Sequence, residues 1–449
     1  MVVTGRFVLL LALGTIPTIA AGRAGAAWAS AGLWLAACLG MAAADAALAA
    51  TPRRVALRRD LPARARLGEP VAGVVVVGNL GRRRMRALLR DRWQPTAGVE
   101  PARRRVALAA GESVGVPFLL RPRRRGLVRS AGVTLRTMGP LGIAGRQASL
   151  TAPGLLKVLP PFRSRRHLPS RLRMLRQEGG RQALQVRGAG TEFDSLRQYV
   201  RGDDVRSIDW RATARRGPAG PGTGRAGATA AHEPMVRTWR PERDRQVVIV
   251  VDSSRLAAAR IGDETRLDTS VEAALLLAVL ADRAGDRVGL VVFDRRVRAR
   301  VSGIRGTALP AAIVDRVAGV WPELVEADWA ALAAEAQSLT RGRCLVVLLT
   351  TLDAPASARG LLTALPGLTA RHTVVVAGAL DPAIREATTR RRDRAEIYRA
   401  AAAERAVLDS ARVAAAARRL GATVVAAPAD DLPAAVADRY IALKVRGLI

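Results

Sequence analysis

The sequence contains few of the side chains on which most enzymatic and metal sites are built. Its 449 residues include three histidines, His167, His232 and His372, and two cysteines, Cys38 and Cys344. The histidines lie far apart along the chain, and the cysteines lie in separate apolar runs. This distribution implies neither a disulfide framework nor the ligand spacing of a zinc site. It also provides no pairing of a nucleophile with a histidine, which covalent catalysis commonly uses.

Lysine is almost absent, since only Lys157 and Lys444 are lysines among 72 basic residues. The arginines give a formal net charge of +34, which allows binding of nucleic acid. Aromatic residues, on which bases stack, make up only 3% of the chain, so a nucleic-acid partner is not favoured. Anionic lipid is an equally good ligand, because part of the charge adjoins an apolar N-terminal segment. An arginine-driven nucleic-acid or anionic-lipid binder is therefore one functional alternative.

Two apolar segments lie near the N-terminus. They comprise residues 7–22 and 24–44, and each is close to the length of about 20 residues that a membrane-spanning helix needs. We therefore predict a two-helix transmembrane hairpin within residues 1–52, with a tight turn near residues 22–25.

The arginines that flank these segments predict their orientation. Arg53, Arg54, Arg58 and Arg59 follow the second segment, whereas the turn contains only Arg23. Positively charged flanks stay on the cytoplasmic side. We therefore expect a multi-pass protein of the bacterial inner membrane whose soluble domains are cytoplasmic.

Two alternatives involve export. The sequence AWAS around Ala29 fits a signal-peptidase site, and LAAC at residues 35–38 fits a lipoprotein cleavage box. The chain stays apolar after Cys38, and the arginine bias opposes export of the following domains. The sequence leaves open whether Cys38 is lipidated.

The remaining chain divides into three parts by composition and periodicity. Residues 53–162 contain short alternating strands separated by Gly, Pro and Arg turns, which predicts a small β-sandwich. Residues 163–245 are predicted as a basic linker, a charged segment and a flexible Gly/Pro-rich insertion at 215–233. Residues 246–449 alternate buried strands with helices, which predicts an α/β domain with a doubly wound parallel sheet.

The sequence DSSRL, which begins at Asp252, follows the first strand of this predicted sheet. It resembles the Asp-x-Ser-x-Ser element of the metal-ion-dependent adhesion site in von Willebrand factor type A domains, but Leu256 replaces the second serine. The later aspartate of that site is also missing, because Thr351 stands in its place. The resemblance implies a degenerate Mg²⁺ site, and no other cofactor is expected. Its candidate ligands are Asp252, Ser254, Thr307 and Asp353. In the alternative interpretation, Asp252 and Ser254 only cap the following segment.

A charged run precedes the sheet, with the sequence GTEFDSLRQYVRGDDVRSIDW at residues 190–210. It resembles the bacterial family called domain of unknown function 58. The matching residues are Gly190, Glu192, Phe193, Leu196, Arg197, Tyr199, Gly202, Asp203, Asp204, Arg206, Ile208, Asp209 and Trp210. The sequences PRRRG and MGPLGIAGR in the β-rich part agree, so the resemblance covers nearly the whole chain.

The resemblance implies a membrane-anchored protein with a von Willebrand factor type A-like domain and no established activity. It also implies a MoxR-type AAA+ ATPase as partner. Type A domains are mostly binding modules, so we expect a non-enzymatic scaffold or adaptor. The alternative from the same resemblance is a Mg²⁺-dependent adhesion module.

The charged run itself has three interpretations. Its aspartates are close enough for acid–base or metal chemistry, but each has an arginine nearby in the sequence. The spacing of Phe193, Leu196 and Tyr199 fits an amphipathic helical turn or a wrapped segment. A structural belt is therefore favoured over a partner-binding surface, and both are favoured over catalysis.

Overall fold

The computed structural model describes residues 1–183, 192–199, 205, 208–215, 234–240, 245–340 and 342–449. The chain divides into two compact units. Unit 1 comprises Met1–Pro161 and Val314–Val320, and unit 2 comprises Phe162–Ile313 and Trp321–Ile449.

Unit 1 begins with the two expected apolar helical segments. The first consists of α1 (Gly5–Leu13) and α2 (Thr15–Gly22), and the second is α3 (Ala27–Leu48). The turn between them contains Gly25 with a φ of +72°, a conformation that glycine adopts without strain. By length and composition, both segments are able to cross a membrane.

The two helical segments pack through a small residue opposite a large one. A β-carbon at Gly14 would lie 2.2 Å from Cδ1 of Trp34, so only glycine fits there. The indole N–H of Trp34 donates to the carbonyl oxygen of Leu10 at 3.1 Å, which satisfies this polar group within an apolar segment.

Eleven strands complete the described part of unit 1 and form two sheets. One sheet contains β1, β10, β9, β11 and β3 in that order, with β5 pairing β9 and β7; the other contains β2, β4, β8 and β6. Every pair is antiparallel except β11 with β3. The strands are β1 (Val2–Val3), β2 (Val55–Asp60), β3 (Arg64–Arg66), β4 (Val71–Asn79), β5 (Met85–Trp93), β6 (Val99–Glu100), β7 (Arg103–Leu108), β8 (Ser113–Leu120), β9 (Gly126–Met138), β10 (Ala144–Leu150) and β11 (Gly154–Leu159).

The two sheets enclose one apolar core. Val75 and Phe118 of the second sheet lie in the same cluster as Leu89 and Leu135 of the first. Along β4 and β5 the buried residues alternate with more exposed ones, as the sequence pattern predicts for strands covered on one face.

Asp45 joins α3 to this β-strand part. Its side chain is fully buried, and its carboxylate accepts hydrogen bonds from three backbone N–H groups. Oδ1 accepts from Leu141 at 2.8 Å, and Oδ2 accepts from Ile143 and Ala144 at 2.9 Å each. A β-carbon at Gly139 would lie 2.2 Å from Oδ1 of Asp45, so the loop reaches the carboxylate only with glycine at that position.

Further hydrogen bonds hold the same end of α3. Nε of Arg146 donates to the carbonyl oxygen of Ala46 at 2.8 Å, and Oγ1 of Thr137 donates to that of Ala50 at 2.7 Å. Residues 1–52, expected as a separate hairpin, therefore form one unit with the β-strands.

Unit 1 also includes Val314–Val320. Arg125, in the sequence PRRRG, is buried and donates from Nη1 to the carbonyl oxygens of Val317 at 2.8 Å and Val320 at 2.5 Å. These carbonyls lie at the C-terminal end of a helix, where a cation satisfies groups that lack intrahelical partners.

The elements that follow Pro161 alternate helices and strands. They are α4 (Leu168–Ala183), β12 (Glu192–Gln198), α5 (Trp210–Arg215), β13 (Met235–Arg240), β14 (Gln246–Asp252), β15 (Arg260–Ile261), β16 (Glu264–Thr265), α6 (Arg266–Arg283), β17 (Arg287–Phe293), β18 (Val297–Val301), α7 (Ala308–Ala318), α8 (Trp329–Ser338), β19 (Leu345–Leu349), α9 (Pro355–Thr369), β20 (Thr373–Leu380), α10 (Pro382–Ala387), α11 (Arg394–Arg419), β21 (Thr423–Pro428) and α12 (Leu432–Val445).

The main sheet of unit 2 has six strands in the order β18, β17, β14, β19, β20 and β21. Of these described strands, five are parallel and the edge strand β18 is antiparallel. Val248 and Val250 of β14 lie in one apolar cluster with residues of α8, α9 and α11, whereas α6 packs on β14 and β17 with α12 beside it. Helices on both faces explain why the strands are continuous apolar runs.

Residues 163–183 differ from the expected solvated linker. α4 packs against α6 and α12, and Arg171 forms two hydrogen bonds with the carboxylate of Asp438, at 2.9 and 3.0 Å. The buried carboxylate of Glu272 accepts from the backbone N–H of Arg163 at 2.9 Å. Carboxylates that are distant in the sequence thus bind this basic segment, and α4 packs against α6 and α12 instead of being solvated on all sides.

We expect Asp45→Asn to weaken the contact between α3 and the loop at residues 139–144. The amide NH₂ group of the asparagine would face backbone N–H groups, which are also donors. A buried group left unsatisfied in this way lowers the free energy of unfolding by about 1–3 kcal/mol. Hydrogen exchange of the detergent-solubilised full chain should become faster at residues 139–144. Asp60→Asn, at an exposed carboxylate in the same unit, is the matched control. Unchanged protection of the loop in Asp45→Asn would contradict this role.

Candidate functional site

The C-terminal edge of the six-stranded sheet carries a group of buried polar residues. In sheets of this type ligands bind where the strand order reverses, which here is between β14 and β19. Asp252 ends β14 at this point and is buried. Oδ1 of Asp252 accepts from the backbone N–H of Ser254 at 2.8 Å, and Oδ2 accepts from Oγ1 of Thr350 at 2.6 Å. A bond within the chain therefore connects the two strand ends.

The carboxyl group of Asp252 is in an unfavourable position for a charge. Burial raises its pKa above the ordinary value, and the nearby carboxylate of Asp294 acts in the same direction. The hydrogen bonds from Thr350 and Ser254 oppose the shift. Within the part of the chain that the structure describes, Asp252 is thus held by neutral donors and not by a cation.

Asp294, at the end of the neighbouring strand β17, is a second buried carboxylate that the sequence interpretation missed. Its Oδ1 accepts from the backbone N–H groups of Arg295 at 2.6 Å and Arg296 at 3.2 Å. Its Oδ2 accepts from Nε of Arg298 at 2.5 Å. The only signal in the sequence is an aspartate at the end of an apolar strand, which is the position that Asp252 also has.

The segment between α7 and α8 crosses the same edge. The backbone N–H of Glu323 donates to the carbonyl oxygen of Ser253 at 2.9 Å, and that of Arg255 donates to the carbonyl oxygen of Val325 at 2.8 Å. The segment that lies beside Asp252 is therefore the one between α7 and α8, and not the one that contains Thr307.

Thr307 lies at the other edge of the sheet from Asp252. β18 is antiparallel to the other strands, so the chain leaves it at the opposite edge. There the backbone N–H of Gly306 donates to the carboxylate of Asp282, near the C-terminal end of α6. Thr307 is exposed, and its assignment as a metal ligand is corrected by this topology.

Asp353 follows β19, but Nη1 of Arg266 forms an ion pair with its carboxylate. Arg266 is buried and occupies the space beside Asp353 with a positive charge. Thr351 is buried as well, and its Oγ1 has no hydrogen-bond partner within the described part of the chain. Of the predicted ligands, Asp252 and Ser254 are bonded to each other, whereas Thr307 lies at the opposite edge and Asp353 is paired with Arg266.

These residues do not fit a Mg²⁺ ion, which prefers six oxygen ligands in a near-octahedral arrangement. Both oxygens of Asp252 are engaged by donors of the chain, and Arg266 would repel a cation at Asp353. In the described ranges, no group of three or more His, Cys, Asp and Glu side chains could hold a metal ion.

A cleft of about 250 Å³ adjoins this edge. Trp329 and Leu256 supply apolar surface, while Arg255, Glu326 and Arg359 supply charge. Arg255 forms an exposed salt bridge with Glu326 at 3.0 Å. The remaining residues that line the cleft are Ser254, Ala327, Ala356, Ser357 and Gly360. Among the described residues that line the cleft, the single carboxylate is that of Glu326, and it is already paired.

Residues Glu192–Gln198 of the charged run form a strand, whereas a helical turn or a wrapped segment was the expectation. β12 pairs antiparallel with β13, with Glu192 opposite Arg240 and Gln198 opposite Met235. The backbone N–H of Tyr199 continues this pairing by donating to the carbonyl oxygen of Pro234 at 2.8 Å. The pairing partner of β12 lies about 40 residues further along the chain. This distant strand determines the extended conformation of β12, so the local spacing of apolar residues predicted the wrong secondary structure.

Asp209 has a structural role in this segment. Its Oδ1 accepts from the backbone N–H of Ala212 at 3.0 Å, as an N-cap of α5 does, and its own N–H donates to the carbonyl oxygen of Met235 at 2.7 Å. Ile208 forms a bridge with Val236. Trp210, by contrast, is 65% exposed.

The other members of the run are placed as follows. Leu196 is exposed, and Tyr199 is half-buried. Of Glu192, Phe193 and Arg197 only the backbone is described. Gly190, Gly202, Asp203, Asp204 and Arg206 lie outside the described residues.

The chain matches one protein family. The model of the family described as protein of unknown function DUF58 matches residues 195–388. This confirms the resemblance inferred from the charged run.

The chain also resembles uncharacterized proteins of mycobacteria. It is 26% identical over 199 residues to Mb1516 of Mycobacterium bovis and to Rv1480 of Mycobacterium tuberculosis. The match covers 44% of this chain and 57% of each relative, so the chain spans little more than half of their length.

The chain also resembles solved structures, two of which match 23% of its length. The CARDB domain of the PF1109 protein from Pyrococcus furiosus matches with a TM-score of 0.18 and 16% identity, over 23% of this chain and 86% of that one. A β-glucosidase from Listeria innocua matches with a TM-score of 0.17 and 22% identity, over 23% of this chain and 16% of that one. At such TM-scores neither likeness assigns a fold or an activity.

Substitutions of Asp252 should separate its structural role from metal binding. In Asp252→Asn the side-chain amide can still accept a hydrogen bond from Ser254 and can donate one to Thr350. Asp252→Ala loses both hydrogen bonds, which should lower the free energy of unfolding by about 1–3 kcal/mol. Since the pKa of Asp252 is raised in the folded state, the stability linked to its protonation is lost as pH rises through that raised pKa. Asp252→Asn should therefore gain stability over the wild type near pH 7, and the gain should shrink towards pH ~4.

The measurement is the urea denaturation midpoint of the detergent-solubilised full chain across this pH range. Asp263→Asn, at a fully exposed carboxylate, is the control. Equal losses in Asp252→Asn and Asp252→Ala at neutral pH would contradict the structural role. A stabilisation of the wild type by Mg²⁺ that Asp252→Ala lacks would instead indicate a metal site.

Proposed function

We propose that this chain, whose residues 195–388 belong to the DUF58 family, is a non-enzymatic scaffold anchored in the bacterial inner membrane. In this proposal the N-terminal hairpin spans the bilayer, and both soluble parts are cytoplasmic. Unit 1 contributes a β-sandwich, and unit 2 contributes a von Willebrand factor type A-like domain that binds a protein partner.

The observation that carries the proposal is the state of the carboxylates at the C-terminal edge of the six-stranded sheet. Donors of the chain hold Asp252, while arginines hold Asp294 and Asp353. General acid–base catalysis needs a titratable side chain, such as His, Asp or Glu, that can reach a substrate proton. A cleft without such a group supports binding in preference to turnover.

The strand order of unit 2 supports the type A-like assignment. From the first strand, β14, the order proceeds outward to β17 and the antiparallel β18 on one side, and to β19, β20 and β21 on the other. This arrangement puts the reversal of strand order beside Asp252 and so supports a binding edge there.

The dimensions of the hairpin support membrane anchoring. The segments Gly5–Gly22 and Ala27–Leu48 have 18 and 22 residues. At 1.5 Å per residue they are about 27 and about 33 Å long, close to the hydrocarbon thickness of about 30 Å. Most of their large apolar side chains, such as Leu9, Ile19 and Leu33, are exposed, which suits contact with lipid.

The proposed partner is a MoxR-type AAA+ ATPase, as the family resemblance suggests. Two surfaces of the described residues offer contacts. One is the cleft with Arg359, and the other is the exposed Trp210 of the charged run. Aromatic and arginine side chains are typical of the residues that dominate protein–protein affinity.

A crosslinked pull-down of the full chain from membranes tests this proposal. We expect the chain to remain in the membrane fraction after an alkaline wash and to capture an AAA+ ATPase. Arg359→Glu should reduce capture if the cleft is the contact. Arg419→Glu, which has the same charge change at the C-terminal end of α11, should not. Recovery of the chain in the wash, or a crosslinked fraction without an ATPase, would overturn the proposal.

A Mg²⁺-dependent adhesion module is the second candidate function. Its support is the sequence resemblance at Asp252 and Ser254, whereas the donors bonded to both carboxylate oxygens of Asp252 oppose it. The Mg²⁺ arm of the Asp252 experiment decides between the two.

A further inference from the structure

The end of the hairpin that meets the β-strands is surrounded by arginines. Loops of the β-strand part and the two chain segments next to the helices contribute them. We call this set the arginine collar; it consists of Arg6, Arg53, Arg54, Arg82, Arg83, Arg84 and Arg146.

Hydrogen bonds fix the collar at the level of the helix ends. Arg83 donates from Nη1 to the carbonyl oxygen of Ala47 at 2.9 Å, one residue before the end of α3. The backbone N–H of Leu80, at the start of the same loop, donates to the carbonyl oxygen of Arg54 at 3.0 Å. Arg6, in the first turn of α1, contacts the loop that binds Asp45, because its Nη1 lies 3.4 Å from the carbonyl oxygen of Leu141.

These positions coincide with one surface of the proposed bilayer. From Ala27 to Asp45 the helix rises about 27 Å, so the carboxylate marks a depth near the edge of the hydrocarbon layer. The loop at residues 139–144 is bonded to Asp45, and so it lies at headgroup depth. The arginine collar surrounds this level.

Among the described residues, no carboxylate forms an ion pair with a collar arginine. In the described part of unit 1, ion pairs with carboxylates use other cations, namely Arg59, Arg64, Arg121 and Lys157. The carboxylate of Asp45, in the same end of α3, is engaged by backbone N–H groups. All collar arginines except the half-buried Arg146 are exposed.

Apolar side chains stand among these arginines. Leu80 is 69% exposed and Leu141 is 56% exposed, and both lie in loops bonded to the helix ends or to collar residues. Large apolar side chains beside cationic ones are typical of surfaces that enter the boundary between headgroups and acyl chains.

We propose that the arginine collar is a binding surface for anionic lipid headgroups, into which Leu80 and Leu141 insert at the interface. The guanidinium groups bind lipid phosphates, for which their planar array of donors is suited. The inference rests on the proposed membrane anchoring, since only a hairpin in the bilayer brings the collar to this depth. The same position leaves the collar facing lipid and not a nucleic acid in solution.

The test measures which lipids the full chain retains. The protein is reconstituted into vesicles of equal parts phosphatidylcholine and phosphatidylglycerol, its flotation with the vesicles is recorded, and the lipids that copurify in mild detergent are quantified by mass spectrometry. We expect phosphatidylglycerol to be enriched at least about fivefold, the effect of one arginine at a charged membrane surface. High salt should reduce the enrichment.

The triple substitution Arg82→Gln, Arg83→Gln and Arg84→Gln should reduce the enrichment to less than half. The control is Arg103→Gln, Arg104→Gln and Arg105→Gln, which removes the same charge from exposed positions of the same unit. These three residues pair with Leu88–Arg90, towards the far end of β5 from the collar, and should leave the enrichment unchanged.

The outcomes separate the two proposals. A chain that does not float with the vesicles contradicts the anchoring. A chain that floats without a preference for phosphatidylglycerol, or whose two triple variants behave alike, overturns the collar while the anchoring stands. If the first triple variant does not fold, Arg53→Gln with Arg54→Gln provides the same comparison at a second place in the collar.

Discussion

The placement of the hairpin depends on one buried carboxylate. Asp45 lies in a helix whose other residues suit a hydrocarbon environment, and a charge there is costly unless donors surround it. Three backbone N–H groups of residues 141–144 supply those donors, and Gly139 gives the loop room to approach. The bonds fix the loop at residues 139–144 to the end of α3, where Arg83 and Arg146 of the collar also donate to backbone carbonyls of the helix.

The sequence was sufficient for features that depend on local pattern. Apolar runs of membrane-spanning length, alternation in residues 53–162 and continuous Val/Leu runs in the α/β part all correspond to observed elements. Features that depend on contacts between residues far apart in the sequence could not be predicted from it. The partner of Asp45 is 96 to 99 residues away, and the helix α4 packs because Asp438 meets Arg171. Neither contact leaves a periodic signal.

The candidate site shows the same division. Asp252 and Ser254 follow a strand, so their position at the sheet edge could be predicted from the sequence. Thr307 could not be placed, because the direction of one edge strand decides at which end of the sheet it emerges. Arg266 was missed, although its ion pair with Asp353 converts a potential ligand into part of the fold. The resemblance to a metal-ion-dependent adhesion site thus predicted where Asp252 and Ser254 lie in the sheet, but not which side chains bond to the carboxylates there.

Labelling of introduced cysteines measures the central claim, a hairpin that spans the membrane with its β-strand end inside the cell. Cys38 and Cys344 are buried and give little background. A membrane-impermeant maleimide should label Ala24→Cys, in the exposed turn, on intact spheroplasts. It should label Ala102→Cys, exposed in unit 1, only after the membrane is disrupted. Equal labelling of both positions before disruption, or labelling of Ala102→Cys alone, would contradict the account.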